Sequence, residues 1–170
     1  MMDLLLVRHG LAGKADPRAW PDDDERPLTE KGREAFRAAA KGMKSQGPKP
    51  ALILASPAVR TRETAALLAK AMGLKQSAIR NWDAIHHSRA PEKALADLAR
   101  QDLPKSAALV GHEPWLGEFL SLLIGGGTGA GLEFAKGGAA RVEIPDGGSR
   151  AKGRGRLLWL LTQNQLAALR

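Results

Sequence analysis

Two histidines and two arginines in this chain stand just beyond short apolar runs. Arg8 and His9 follow Leu4–Val7 and precede Gly10, Arg60 follows Ser56-Pro57 at the end of Ala51–Ala55, and Gly111-His112 closes Ser106–Val110. A histidine so placed can act as a nucleophile. An arginine beside it can hold two oxygens of an oxyanion at once through its planar fork, which a lysine cannot do. In open α/β sheets ligands meet the carboxyl ends of the strands, so if these three runs are adjacent and parallel, all four side chains converge on one rim. The chain has no cysteine. Two arginines and two histidines without a thiolate make a site for a tetrahedral dianion. Each residue also has an ordinary reading: His9 or His112 as a satisfied histidine at a strand end, and Arg60 as an ion-pair partner of Glu63 or Glu34.

The elements that must position these residues can be read from pattern. Leu4–Val7 reads as a buried strand and 11–27 as a polar loop carrying the acidic run Asp22-Asp23-Asp24-Glu25. Thr29 can cap a helix to about Gln46 with Phe36, Ala40 and Met43 on one face, broken by Gly47-Pro48-Lys49-Pro50. Ala51–Ala55 is a second strand, and a helix from about Val59 to Met72 follows, with Gly73 as its C-cap. Ala78–Trp82 forms a third strand. Pro91 opens a helix to about Gln101, Ser106–Val110 is the next strand, and Trp115–Ile124 is an apolar helix ended by three glycines. The Gly-rich stretch 125–138 reads as a loop with a short element at Leu132–Phe134. It lacks the Gly-Lys-Ser/Thr ending of a P-loop. Ala139–Ile144 and Arg156–Leu161 read as a hairpin at one sheet edge. Strands alternating with helices predict one α/β domain over 1–170, a three-layer α/β/α sandwich whose mostly parallel sheet has an antiparallel edge.

Composition narrows the function classes. A chain of 170 residues with 44% hydrophobic residues suits one globular domain. No apolar run approaches the length that spans a bilayer, and Met1-Met2-Asp3 does not begin a signal peptide, so no membrane association and a cytoplasmic location are expected. The absence of cysteine suits that location. The net charge of +8 favours anionic partners. With no tyrosine and three phenylalanines, however, platforms for stacking bases are poorly supplied, and no nucleic acid is expected. The basic segment Arg150–Arg156, interleaved with glycine, reads as an exposed turn.

The chain resembles the histidine phosphatases, the phosphoglycerate mutase-like superfamily. The residues that carry the resemblance are Val7-Arg8-His9-Gly10, Arg26-Pro27-Leu28-Thr29 with Gly32, Ser56-Pro57 with Arg60 and Thr64, and Val110-Gly111-His112. Its compactness resembles the small branch typified by the phosphohistidine phosphatase SixA. The resemblance implies that His9 is a nucleophile that becomes a transient phosphohistidine, later hydrolysed by water. It implies that Arg8, Arg60 and His112 bind the transferring group, with Gly10 and Arg26 at its edge, and that no metal and no cofactor take part. His9 must then be neutral at its attacking nitrogen, its other nitrogen held as a donor by a backbone carbonyl near Gly10. Larger members use a glutamate after the third sheet region as general acid. The residue here at about that position is Asp83, a shorter side chain, which favours a phosphoramidate over a phosphomonoester as substrate.

The implied substrate is a phosphohistidine on a protein, such as a histidine phosphotransfer domain. The alternatives are a small-molecule phosphomonoesterase or sugar-phosphate phosphatase, and a phosphate-binding module without turnover. Arg26 could also simply answer the acidic run beside it. His86-His87 invites a metal reading, but adjacent residues point in different directions and no partner ligand lies at helical spacing. A solvated loop is expected there, and likewise at Asp22–Glu25.

Overall fold

Leu4–Val7 lies inside a longer strand, β1 (Met2–Arg8), in the computed structural model, which describes residues 1–100, 102–146 and 152–169. The elements that follow are α1 (Glu30–Ser45), β2 (Leu52–Ala55), α2 (Val59–Met72), β3 (Ile79–Asn81), α3 (Pro91–Leu98), β4 (Ser106–Gly111), α4 (Trp115–Gly125), β5 (Ala139–Ile144), β6 (Arg156–Leu161) and α5 (Gln163–Ala168). The six strands form one sheet in the order β3-β2-β4-β1-β5-β6. β1, β2 and β3 run parallel to their neighbours β4 and β2, and β5 and β6 are antiparallel. This is the predicted single-domain α/β architecture with its antiparallel edge.

Alternation along the central strands explains the three layers, because successive side chains of a strand leave opposite faces. Leu4, Leu6, Leu52, Leu54, Ala107 and Leu109 face α3 and α4. Leu5, Val7, Ile53, Ala55, Ala108 and Val110 face α1, α2 and α5. Thr29 caps α1, its hydroxyl accepting from the Gly32 N–H at 2.9 Å. Gly73, in the left-handed region with φ 63°, ends α2.

The structure departs from the sequence reading in two places. No regular element forms at Leu132–Phe134. The Phe134 ring is fully buried, its N–H donates to the Glu113 carboxylate, and its carbonyl accepts from Arg8, so side chains replace the strand partner. The final helix α5 carries no expectation from the apolar pattern, yet its signal is present. Thr162 and Gln165 form a reciprocal capping box, which drives Leu166 into the core against α1. The predicted end of α3 at Gln101, and Arg150 in the basic turn, lie outside the described residues.

Candidate functional site

The strands β1, β4 and β2 are consecutive and parallel, so their carboxyl ends deliver Arg8-His9, His112 and the Ser56–Arg60 turn to one rim. The main chain around His9 is held from both sides. Its N–H donates to Gly111 O at 3.1 Å on the β4 side, and its carbonyl accepts from Gly137 N at 3.0 Å on the β5 side. The Gly10 N–H donates to the Thr64 hydroxyl at 3.1 Å, which in turn donates to Arg60 O, so α2 is pinned to the nucleophile turn. Gly32 is required by close approach, because a Cβ there would stand 2.1 Å from Leu11 O. The same carbonyl accepts from Thr29 N.

The His9 ring is buried, with Nδ1 2.7 Å from Gly10 O. A carbonyl only accepts, so Nδ1 carries the proton and Nε2 keeps a free lone pair. Burial, reinforced by the charges of Arg60 and Arg8 against the Gly10 hydrogen bond, lowers the His9 pKa to about 4. The ring is therefore neutral at physiological pH. The His112 ring lies 5.4 Å away at 63°. Its Nε2 is 2.8 Å from Ser56 Oγ, which explains the serine at the end of β2. Burial, and next the charge of Arg60, drop the His112 pKa to about 2, so without a bound anion it is a neutral hydrogen-bonding group.

These four side chains line a pocket of about 380 Å³ together with Arg26, Asp23, His87, Glu113 and Lys136. Arg8 donates through Nη1 to Phe134 O at 2.5 Å, and Phe134 N donates to Glu113 Oε1 at 2.8 Å. Glu113 thus holds the loop that orients Arg8, and burial pushes its carboxyl pKa up. The acid partners of Arg60 are Asp23, at 3.3 Å, and Asp24, at 3.7 Å, rather than Glu63 or Glu34. Glu63 is taken by Arg33 and by the Leu28 N–H. Arg26 answers the acidic run, binding Asp23 through Nε at 2.8 Å and Nη2 at 3.1 Å, and its side chain also lines the pocket. That hydrogen bond holds the Asp23 carboxyl below its usual range.

Asp83 is not brought to the pocket. It lines a separate depression with Asn81, Trp82, Arg89, Lys93 and Asp97. Trp82 N donates to Ala55 O, and the 3-10 turn Asp83–Ile85 buries Ile85, so the two residues after the turn swing to the rim in its place. Those residues are His86 and His87. Instead of a solvated loop they meet Asp24: His86 Nε2 is 2.7 Å from Asp24 Oδ2, and His87 Nε2 is 3.3 Å from Oδ1. The His87 ring is 5.2 Å from that of His112. The rings of all four histidines of the chain therefore cluster, and three of them, His9, His87 and His112, line the pocket. Sequence reasoning missed Asp23, His87, Glu113 and Lys136 as lining residues. Only Glu113, adjacent to His112, carries a local signal.

Chemically, a neutral imidazole with a directed lone pair facing three arginines and a lysine can receive a tetrahedral oxyanion and attack its centre. Comparison with known proteins agrees. The profile of the histidine phosphatase superfamily (branch 1) matches residues 4–118. An uncharacterized protein of Picosynechococcus sp. strain PCC 7002 is 34% identical over 155 residues, covering 84% of this chain and 89% of its own. Among solved structures, the protein histidine phosphatase SixA complexed with tungstate superposes with a TM-score of 0.81 at 23% identity, covering 97% of this chain and 99% of its own. A chain from Agrobacterium tumefaciens, assigned as a phosphohistidine phosphatase SixA, gives 0.74 at 27% identity, covering 95% and 97%.

Proposed function

The chain belongs to the histidine phosphatase superfamily and is a phosphatase; from that membership and the pocket's geometry we propose that it removes phosphate from phosphohistidine on a protein. The observation that carries the reading is His9 itself, with Nδ1 bound to Gly10 O and the ring kept neutral. Nε2 attacks phosphorus and forms an N–P bond while the bond from phosphorus to the leaving nitrogen breaks. Arg8, Arg60 and His112 hold the equatorial oxygens. Water then attacks the phosphorus on His9, releasing inorganic phosphate and restoring the free imidazole. Arg26 and Gly10 stand at the edge of the bound group.

The leaving group decides between substrate classes. A phosphoimidazole takes up a proton from solvent on its far nitrogen near neutrality and then departs as neutral imidazole. It needs no carboxylic acid from the enzyme. This suits a pocket that Asp83 does not line and in which Asp23 is tied to Arg26 and Arg60. The rim also includes exposed side chains such as His87 and Lys136, an entrance that suits a protein side chain reaching in. The relatives support the same class: one is named a protein histidine phosphatase and was solved with tungstate, a tetrahedral oxyanion. Among the described residues no helix is long and apolar enough to cross a membrane. The reading places the enzyme in the cytoplasm, acting on a phosphotransfer partner.

One observation favours a small-molecule phosphomonoesterase instead. Glu113 lines the pocket with its pKa raised by burial, the condition for a proton donor to an alkoxide. Rapid-quench labelling with a phosphohistidine protein and with alkyl phosphates separates the two. The expected result is an acid-labile, base-stable phosphoenzyme, formed faster from phosphohistidine and absent in His9→Ala. Fast cleavage of alkyl esters with phosphohistidine untouched would overturn the substrate assignment, and full activity of His9→Ala would overturn the mechanism.

A further inference from the structure

The rim of the pocket carries a second set of ligating side chains that the phosphoryl transfer does not use. Asp24 comes from the acidic turn, and His86 and His87 follow the turn after β3, 62 and 63 residues away. One donor atom from each of the three lies within 4.8 Å of the others. Both imidazoles present Nε2 to the same carboxylate, and the two rings are 4.0 Å apart. Tetrahedral ligands about 2.0–2.1 Å from a zinc ion stand about 3.3 Å from one another, so small side-chain adjustments close the set around an ion. Ser88 also fixes the His86 ring, with its Oγ 2.7 Å from Nδ1 and its N–H donating to the same nitrogen at 3.3 Å.

We propose that Asp24, His86 and His87 bind one Zn²⁺, with the fourth coordination position open toward the phosphate pocket. Two imidazoles and a carboxylate without thiolate form a donor set for zinc rather than for magnesium or calcium, which take oxygen ligands. The open position faces the pocket because His87 lines it and its ring packs 5.2 Å from that of His112. The acidic run belongs to the same argument. Asp23 pairs with Arg26 and Arg60, which offsets the cations nearest the metal ligands and leaves Asp24 Oδ2 to His86, while Oδ1 meets His87 at 3.3 Å and Arg60 only at 3.7 Å. A bound phosphoryl group places negative charge beside the ion, so anion and metal raise each other's affinity by the same factor. The inference is independent of which phosphorylated substrate the enzyme takes.

Calorimetric titration of the full chain with zinc chloride in phosphate-free, non-chelating buffer tests it. One site per chain is expected, with affinity reduced at least tenfold in each of His86→Ala, His87→Ala and Asp24→Asn, and no saturable binding of Mg²⁺. The His87 side chain is 43% exposed, so His87→Ala keeps the fold. In thermal melts zinc should raise the Tm of the unsubstituted protein and leave that of His87→Ala unmoved. Three results would overturn the proposal: no saturable zinc binding by the unsubstituted chain, unchanged affinity in His87→Ala, or loss of binding only in His9→Ala or His112→Ala. The last would place the metal on the nucleophile and its neighbour.

Discussion

The two ends of the sheet each bury arginine, and they treat it in opposite ways. At the amino ends of the strands, Arg141 of β5 is 1% exposed and surrounded by acceptors. Its guanidinium meets both Asp3 oxygens through Nε at 2.9 and 3.0 Å, Gln46 O through Nη1 at 3.0 Å, and Pro48 O through Nη2. The chain at Gly47 (φ +144°) wraps so closely that a Cβ would stand 2.2 Å from Arg141 Nη1. At the carboxyl ends, Arg8 and Arg60 each leave a buried Nε without a protein partner among the described residues. Arg8, Arg26 and Arg60 line one pocket with only partial compensation from Asp23 and Glu113. An arginine saturated by protein acceptors holds the fold, and one left partly unsatisfied beside like charges waits for an anion. Desolvated charge without a full set of partners is costly, so the second arrangement is retained for function.

The comparison breaks most sharply at His9. His9→Ala should abolish turnover and the labelled phosphoenzyme while circular dichroism and Tm stay near those of the unsubstituted protein, because the clamp around His9 is made by its main chain. A large loss of Tm would mean that the ring serves the core. Next come the arginines. Arg60→Ala should lower the rate of His9 phosphorylation by about 10²–10³, the loss expected for a preorganised donor, with a small effect on unfolding. Arg141→Ala should do the reverse. Stranding Asp3, 13% exposed on its side chain, costs about 3–5 kcal/mol of stability in denaturant titration, with kcat per folded molecule unchanged. If both substitutions lowered activity and stability together, the division between the two ends would fail.

The same division governs what could be read in the sequence. The parity of Leu4 to Val7 fixes a strand buried on both faces, and the helices between apolar runs require a parallel sheet. The site followed because three of its parts sit at the first polar position after an apolar run. The misses have one physical cause, long-range pairing without local period. Asp24 meets His86 across 62 positions and Arg60 across 36, and Arg141 meets Asp3 across 138. Adjacent histidines carry no spacing signal, so their shared carboxylate could not be inferred. Asp83 failed for a related reason, since position along the chain does not say which way a 3-10 turn faces. α5 was legible in its capping box but too short to show periodicity.

Gly42 probes a smaller effect at the amino-end side of this division. It lies where α1 meets α5, and a Cβ there would stand 1.8 Å from Leu166 O. Gly42→Ala must push α5 away and loosen the fully buried Leu166. The expected cost is about 1–3 kcal/mol, as for overpacking, read as a lower denaturation midpoint with His9 phosphorylation unchanged. A helix favours alanine over glycine by about 1 kcal/mol, so a stabilised variant would show that α5 does not pack there in solution.

The finest test is the pH dependence of stability carried by His9. Its folded pKa of about 4 lies below its ordinary value of 6.5. Between those values the unfolded chain binds more protons at this position than the folded one, so stability falls as pH drops from 6.5 to 4 and the His9 contribution flattens below. His9→Asn removes that one term while other titrating groups act in both proteins. The difference in Tm between the two should therefore be constant above pH 7 and shift in favour of His9→Asn through the window. Inorganic phosphate should reduce the shift, because an anion beside the ring favours its protonated form. An unchanged difference across the window would mean that the His9 ring is solvated and that the pocket does not hold it neutral.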